Sequence, residues 1–116
     1  MSRVSGIRGE AEVAVWLRRH GYELLAHSYH CRFGEIDLIA RKKGLISFIE
    51  VKLRSGTQFG LPREAVTARK QEKLRKAAFC YLSEHELDCP VRFDVAEVYA
   101  DAEDGKHRIE YLENAF

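Results

Sequence analysis

The apolar positions of this chain fall into seven segments. Over residues 7–20 they recur at helical spacing, and Gly21 follows as a C-terminal stop. Residues 22–32, with Tyr22, Leu24 and Leu25, read as a strand, and residues 35–41 alternate apolar with polar as a half-buried strand does. Lys42-Lys43-Gly44 reads as a turn. Residues 45–53 form the strongest strand, because β-branched and aromatic side chains dominate it. Arg54 to Leu61, with Gly56 and Gly60, reads as a loop. Pro62 suits the first turn of a helix reaching about Glu84. Pro90 precedes a strand at 91–100, Asp101 to Gly105 turns, and a last strand covers 106–112. The order α-β-β-β-α-β-β predicts an α/β domain, with two main helices packed on one mixed sheet of about five strands.

Register decides which side chains of the hairpin share a face, because a slip of one residue turns every side chain over. A turn of even length with Lys43-Gly44 at its tip pairs Arg41 with Ile46, Asp37 with Glu50 and Glu35 with Lys52. One face then carries Ile36, Leu38 and Ala40 with Leu45, Ile49, Val51 and Leu53. It is apolar apart from Ser47 and is expected to meet the core. The other face carries Ile39, Ile46 and Phe48 near the turn, and Glu35, Asp37, Glu50 and Lys52 at its far end. An odd turn would bury charge among apolar residues, so the even register is preferred.

In that register Asp37 and Glu50 have Cβ atoms roughly 5 Å apart, an opposition of like charges that destabilises a sheet. Two convergent carboxylates can hold a hard divalent cation such as Mg²⁺. Lys52, two residues past Glu50 on the same face, can place positive charge beside a phosphate, or move a proton if its pKa is lowered. The plainer alternative is an exposed polar sheet end with Lys52 paired to Glu35 and Glu50. Asp followed by Glu-X-Lys is a short pattern that also arises by chance.

Both helices carry one residue out of place. Glu10 lies on the stripe of Val13, Ala14 and Leu17, while Arg8, Glu12 and Arg19 lie opposite. A carboxylate on a packing face needs a partner. That partner is either a metal cluster on the sheet or the positive end of its own helix. In the second helix Val66, Lys70, Leu74, Ala77, Ala78 and Tyr81 form the inward stripe, with Lys70 the anomaly and within reach of the acidic cluster. Arg69, Lys73 and Lys76 form a separate basic stripe that suits backbone phosphates and equally suits a solvated face. Arg54 and Arg63 flank the glycine-bearing loop, which reads either as closing over a nucleic-acid strand or as an ordinary loop.

Composition narrows the classes. The 116 residues fit one domain, 1–116. A chain of this size buries roughly two-thirds of its unfolded surface and needs no disulfide or metal staple. No apolar run approaches the roughly 18 residues of a membrane helix, so no membrane partner is expected. Met1 to Gly6 lacks an apolar segment, so no signal peptide is expected. Cys31, Cys80 and Cys89 match no zinc spacing, and their odd number points to a cytoplasmic setting. His27 and His30 beside Cys31 lack a matching ligand pair elsewhere. The net charge of +1 hides a division: residues 1–76 hold 16 Lys/Arg against 8 Asp/Glu, and residues 77–116 hold 3 against 10. Such a split points to a polyanionic partner, although two solvated ends of opposite sign would look the same. Arg outnumbers Lys by 12 to 7, and Arg suits bidentate phosphate contacts.

A resemblance covers nearly the whole chain. Gly6 to Glu10, Leu17 and Gly21 look like the opening helix of a known family. Cys31-Arg32-Phe33-Gly34-Glu35-Ile36-Asp37-Leu38-Ile39-Ala40 and Phe48-Ile49-Glu50-Val51-Lys52 look like its central motifs. Phe59-Gly60, Val66-Thr67 and Lys70-Gln71 resemble its loop and second helix, and Arg92-Phe93-Asp94-Val95 its closing strand. The chain thus resembles the YraN-like family of small bacterial proteins. That family is placed in the PD-(D/E)XK nuclease superfamily with Holliday-junction resolvases and restriction endonucleases.

The resemblance implies a restriction-endonuclease-like core. Asp37 and Glu50 would be metal ligands, with the Val51 carbonyl a third. Lys52 would be the catalytic lysine and Glu10 the acid of helix one. Lys70-Gln71 would be the auxiliary position on the second helix, with Glu35 a further auxiliary residue. Ser28 and His30 stand where the family often has Asn and Arg, and Val13 replaces a common Ala.

The expected function is that of a metal-dependent nucleic-acid phosphodiesterase, endonuclease-like, using Mg²⁺ or Mn²⁺. Its expected partner is DNA rather than RNA, including branched or structured DNA, contacted through Arg54, Arg63, Arg69, Lys73 and Lys76. A homodimer is expected by analogy only. One alternative is a non-catalytic nucleic-acid-binding module of repair or recombination. Another is an interaction protein whose acidic C-terminal part docks a basic partner.

Overall fold

The computed structural model describes residues 2–55, 66–100 and 107–116. Helix α1 (Ser2–Arg19) precedes β1 (Glu23–Cys31), β2 (Gly34–Lys42) and β3 (Leu45–Ser55); then come α2 (Ala68–Glu84), β4 (Val91–Ala100) and β5 (His107–Leu112). This is the α-β-β-β-α-β-β order that periodicity predicts. The strands form one sheet in the order β1-β2-β3-β4-β5. Neighbours run antiparallel except β3 and β4, which run parallel. The α2 crossover between them carries the chain back to the end of the sheet where β3 began. No helix among the described residues is long and apolar enough to cross a membrane.

Local chemistry sets the boundaries. Gly21 takes a left-handed φ of +87°, and the Tyr22 N–H closes onto the Leu17 carbonyl at 2.9 Å, ending α1. Lys43 and Gly44 have φ of +52° and +80°, the two left-handed residues of a tight hairpin turn. That turn sets Arg41 opposite Ile46 and Ile39 opposite Phe48, the even register. Helix α2 starts later than the proline suggests. Thr67 caps it, its hydroxyl accepting the Lys70 N–H at 3.2 Å, and Val66 lies in a bend before it. A hydroxyl that satisfies a free N–H marks a helix start locally, whereas proline is merely tolerated there. Arg54, expected to open the loop, instead extends β3 and pairs with Tyr99 of β4. Phe59-Gly60, Pro62, Arg63 and the turn Asp101–Gly105 lie outside the described residues.

Each sheet face has its own core. Helix α1 packs Val13, Ala14 and Leu17 on Leu38, Ala40 and Ile49. Helix α2 packs Leu74, Ala77, Ala78 and Tyr81 on Ile39, Ile46, Phe48 and Val95. The protein is therefore a three-layer α/β/α domain. Three expectations of sidedness or burial fail. Ile36, expected beside Leu38 and Ala40, packs on the α2 side with Ile39. The alternation breaks at Asp37, between the register pairs of His27 with Leu38 and of Tyr29 with Ile36, which flank Ser28 with its left-handed φ of +50°. Leu53, expected in the core, is 41% exposed at the far end of β3. Glu12, expected in solvent, is half-buried because β5 reaches the flank of α1, where His107 Nδ1 lies 2.5 Å from its carboxylate.

Candidate metal and phosphate site

Strands β2 and β3 part where the hairpin becomes acidic. Their last backbone pair is Leu38 with Ile49. Beyond it, Asp37 Oδ2 accepts the Val51 N–H at 2.7 Å. A side chain takes the place of a backbone carbonyl, so the strands separate and the Asp37 carboxylate turns onto β3. Glu50 is 6% exposed. Lys52 Nζ lies 3.4 Å from its carboxylate, and Lys70 Nζ makes a closer ion pair with it. The inward lysine of α2 thus meets the acid of the hairpin. Glu10 Oε1 accepts the Ser28 hydroxyl at 3.2 Å. It borders a cleft of about 480 Å³ that Ala14, Arg18, Leu24 and His27 also line.

Burial and charge shift these groups in opposite directions. Burial pushes the Asp37 carboxyl up to about 8, and the neighbouring Glu50 charge adds to the push, against the Val51 amide. Burial also raises Glu10, opposed by its hydrogen bond from Ser28. Burial lowers Lys52 against the pull of Glu50, and the adjacent Lys70 ammonium lowers it further. Burial would lower Lys70 as well, but its contact with Glu50 outweighs this and raises it.

The donors fit a hard divalent cation. Asp37 and Glu50 present oxygen ligands, and their mutual repulsion is the kind that a doubly charged ion relieves. Among the described residues no three His, Cys, Asp or Glu side chains form a ready cage. The site is a carboxylate pair whose Glu50 is neutralised by two ammonium groups, with Glu10 held to one side by Ser28. His30 Nδ1 meets Glu35 at 3.5 Å.

The other expected residues are scattered. Gln71 turns away from the cluster, its amide donating to the Val66 carbonyl at 3.0 Å and bracing the entry to α2. Glu35 is exposed beside His30 rather than opposite Lys52. Arg69, Lys73 and Lys76 are exposed along α2, and Arg63 is outside the described residues. Arg54 Nε donates to Glu97 at 2.8 Å, and Tyr99 donates to the same carboxylate at 2.5 Å.

Sequence reasoning missed Glu97, fully buried in β4 opposite the Lys52 position of β3, with its carboxylate held by Arg54. It also missed the fully buried Asp94. Arg-X-Asp and Glu-X-Tyr in β4 were the available signals, since residues two apart on a strand share a face.

Ser28 holds Glu10 from a backbone conformation that L-residues disfavour, and Asn visits it more readily. We therefore expect Ser28→Asn to raise stability by about 0.5–1 kcal/mol and Ser28→Val to lower it by more than about 1 kcal/mol. Thermal unfolding of the three proteins checks this. A valine variant as stable as the asparagine one would contradict it.

Comparison with known proteins places these elements in one family. The model described as "Uncharacterised protein family UPF0102" matches residues 9–98, a stretch holding Glu10, Asp37, Glu50, Lys52 and Lys70. A UPF0102 protein of Syntrophomonas wolfei is 44% identical over all of both chains. One from Symbiobacterium thermophilum is also 44% identical, over all of this chain and 98% of its own. One from Lachnoclostridium phytofermentans is 40% identical over 98% of this chain and 93% of its own. The match spans whole chains and the YraN-like motifs alike, so the protein belongs to the UPF0102 family.

Proposed function

We propose that this protein is a metal-dependent nucleic-acid phosphodiesterase, endonuclease-like, acting on DNA in preference to RNA. One observation carries the reading. Two facing carboxylates, Asp37 and Glu50, meet where β2 and β3 separate, with the ammonium groups of Lys52 and Lys70 beside them. Asp37, Glu50 and the Val51 carbonyl would hold Mg²⁺ or Mn²⁺, which supplies Lewis-acid polarisation of a phosphate and a water made nucleophilic near neutral pH.

The chain's own residues do the rest. Lys52 stabilises charge that develops on the phosphate oxygens, and its lowered pKa eases proton movement at Nζ. Lys70, ion-paired with Glu50, sets a second positive charge beside the carboxylates. Arg69, Lys73 and Lys76 hold backbone phosphates along α2. A homodimer would set two such sites against two strands.

The test is a cleavage and gel-shift panel on single-stranded, duplex, flapped and four-way-junction DNA and on RNA, with Mg²⁺, Mn²⁺ or EDTA. We expect cutting with either metal and none in EDTA. Lys52→Ala should cut roughly 100-fold more slowly while binding substrate as well as wild type. Equal cleavage by that variant would remove Lys52 from the chemistry. The double neutralisation of Glu50 favours a second reading, a binding module without catalysis. Salt-sensitive, metal-independent binding with no cleavage of any substrate would select it.

A further inference from the structure

The outer side of α2 carries a feature that the carboxylate site does not use. Phe79 is 70% exposed, one turn beyond Arg75 and Lys76. Beside it stands the β1–β2 turn, whose Phe33 ring has the Arg32 guanidinium 4.8 Å and the Lys76 ammonium 5.9 Å from its centre. Phe33, Glu72, Arg75, Lys76 and Phe79 line an open groove of about 330 Å³.

Aromatic faces set among cations are what a single strand of nucleic acid needs. Every base has a π-face to stack, and every phosphate has a charge to neutralise. An apolar helix of a protein partner matches this surface less well, because Arg32, Arg75 and Lys76 outnumber Glu72 around the rings.

We propose that this groove stacks unpaired bases of a nucleic-acid strand whose backbone continues to the Asp37–Glu50 site. The inference rests on the nucleic-acid reading of that site and adds a substrate class, single-stranded or branched nucleic acid. The path is continuous. Phe79 stands nine residues past Lys70 on the same helix, about 13.5 Å along the axis. Those nine residues also turn halfway round the helix, so a strand following Lys73 and Lys76 winds from the inner to the outer side of α2 and takes more than the roughly four nucleotides of the axial distance alone. Lys73 and Lys76 are exposed along the way.

The test is fluorescence-anisotropy titration in EDTA, with a labelled pyrimidine single strand and a blunt duplex of equal length. Wild type is compared with Phe79→Ala and Phe79→Trp. Phe79 projects into solvent, so neither change threatens the fold. Phe79→Ala is expected to weaken single-strand binding roughly tenfold and leave duplex binding unchanged, and Phe79→Trp to keep or tighten it. If wild type binds the single strand and Phe79→Ala binds it equally well, the groove is overturned and the carboxylate-site reading stands. Binding of duplex alone by wild type has the same meaning. Binding of neither removes the nucleic-acid reading and the groove with it. Light scattering runs alongside. Loss of a dimer in Phe79→Ala, without change in strand binding, would assign the face to a second copy of this chain and overturn the proposal.

Discussion

Asp37→Asn is expected to abolish metal-dependent cleavage and, at the same time, to make the metal-free protein more stable at pH 8. The two effects share one cause. The folded protein holds the Asp37 carboxyl at about 8, against 3.8 for the free group, first through burial and then through the Glu50 charge. A raised carboxyl pKa means that folding favours the protonated form. Its favourable contribution is therefore complete below about pH 4 and is lost as pH rises through about 8. Asparagine stays neutral throughout and can still accept the Val51 N–H. Part of the penalty remains with Glu50, so we expect a gain of about 2 kcal/mol at pH 8, or roughly 6–10 °C in Tm, and no gain at pH 4.

Metal reverses the order. A ligand carboxylate must lose its proton, so wild type should bind Mn²⁺ more tightly as pH rises from 6 to 8, gaining thermal stability on loading. The asparagine variant should show neither effect. Cleavage by the variant at the wild-type rate, or a Tm below wild type at pH 8, would remove Asp37 from the site.

Asp94→Ala should be the most damaging single change away from that site. Asp94 is fully buried in β4. Arg92 grips it through two bonds of 2.8 and 2.9 Å, Tyr111 donates at 2.5 Å, and the Asn114 N–H donates at 2.9 Å. The same guanidinium reaches the Tyr22 hydroxyl at 2.8 Å and the Ser47 hydroxyl at 3.2 Å. One carboxylate thus ties β4 to β5 and the C-terminal segment, and through Arg92 to β3 and the connection between α1 and β1. Its removal leaves the half-buried Arg92 guanidinium with only the exposed Glu113 carboxylate at 3.6 Å, and Tyr111 and the Asn114 N–H without their acceptor, at a cost of about 3–5 kcal/mol. That is a large share of the roughly 5–15 kcal/mol that holds a domain together. Urea unfolding measures it. A loss below about 1 kcal/mol would show that water or a neighbour replaces the carboxylate. The pair stands on the α1 face, where Ala96 and Val98 continue its alternation. Its role is to hold the sheet, whereas Glu50 and Lys52 lie on the side that α2 covers.

Much of this protein is legible in its sequence because the signals are local. Period and punctuation specify seven elements in order. The Lys43-Gly44 turn sets the register of the hairpin, and register alone brings Asp37 near Glu50 with Lys52 two residues on. Helical spacing marks Lys70 as an inward cation before its partner is known. Other features depend on contacts between distant segments. Thr67 rather than Pro62 starts α2, because the cap depends on an actual N–H to accept. Ile36 changes sides together with Tyr29, its register partner in another strand, past the left-handed Ser28. Arg54 meets Glu97, Arg92 meets Asp94 and Glu12 meets His107 only after β4 and β5 are laid beside the rest. The sequence by itself determined the elements, their order and the acidic end of the hairpin, since spacing of three or four residues and a two-residue turn are properties of neighbours along the chain. Only the tertiary structure decided which charges are buried and by what they are neutralised, because burial and ion pairing depend on segments far apart in sequence.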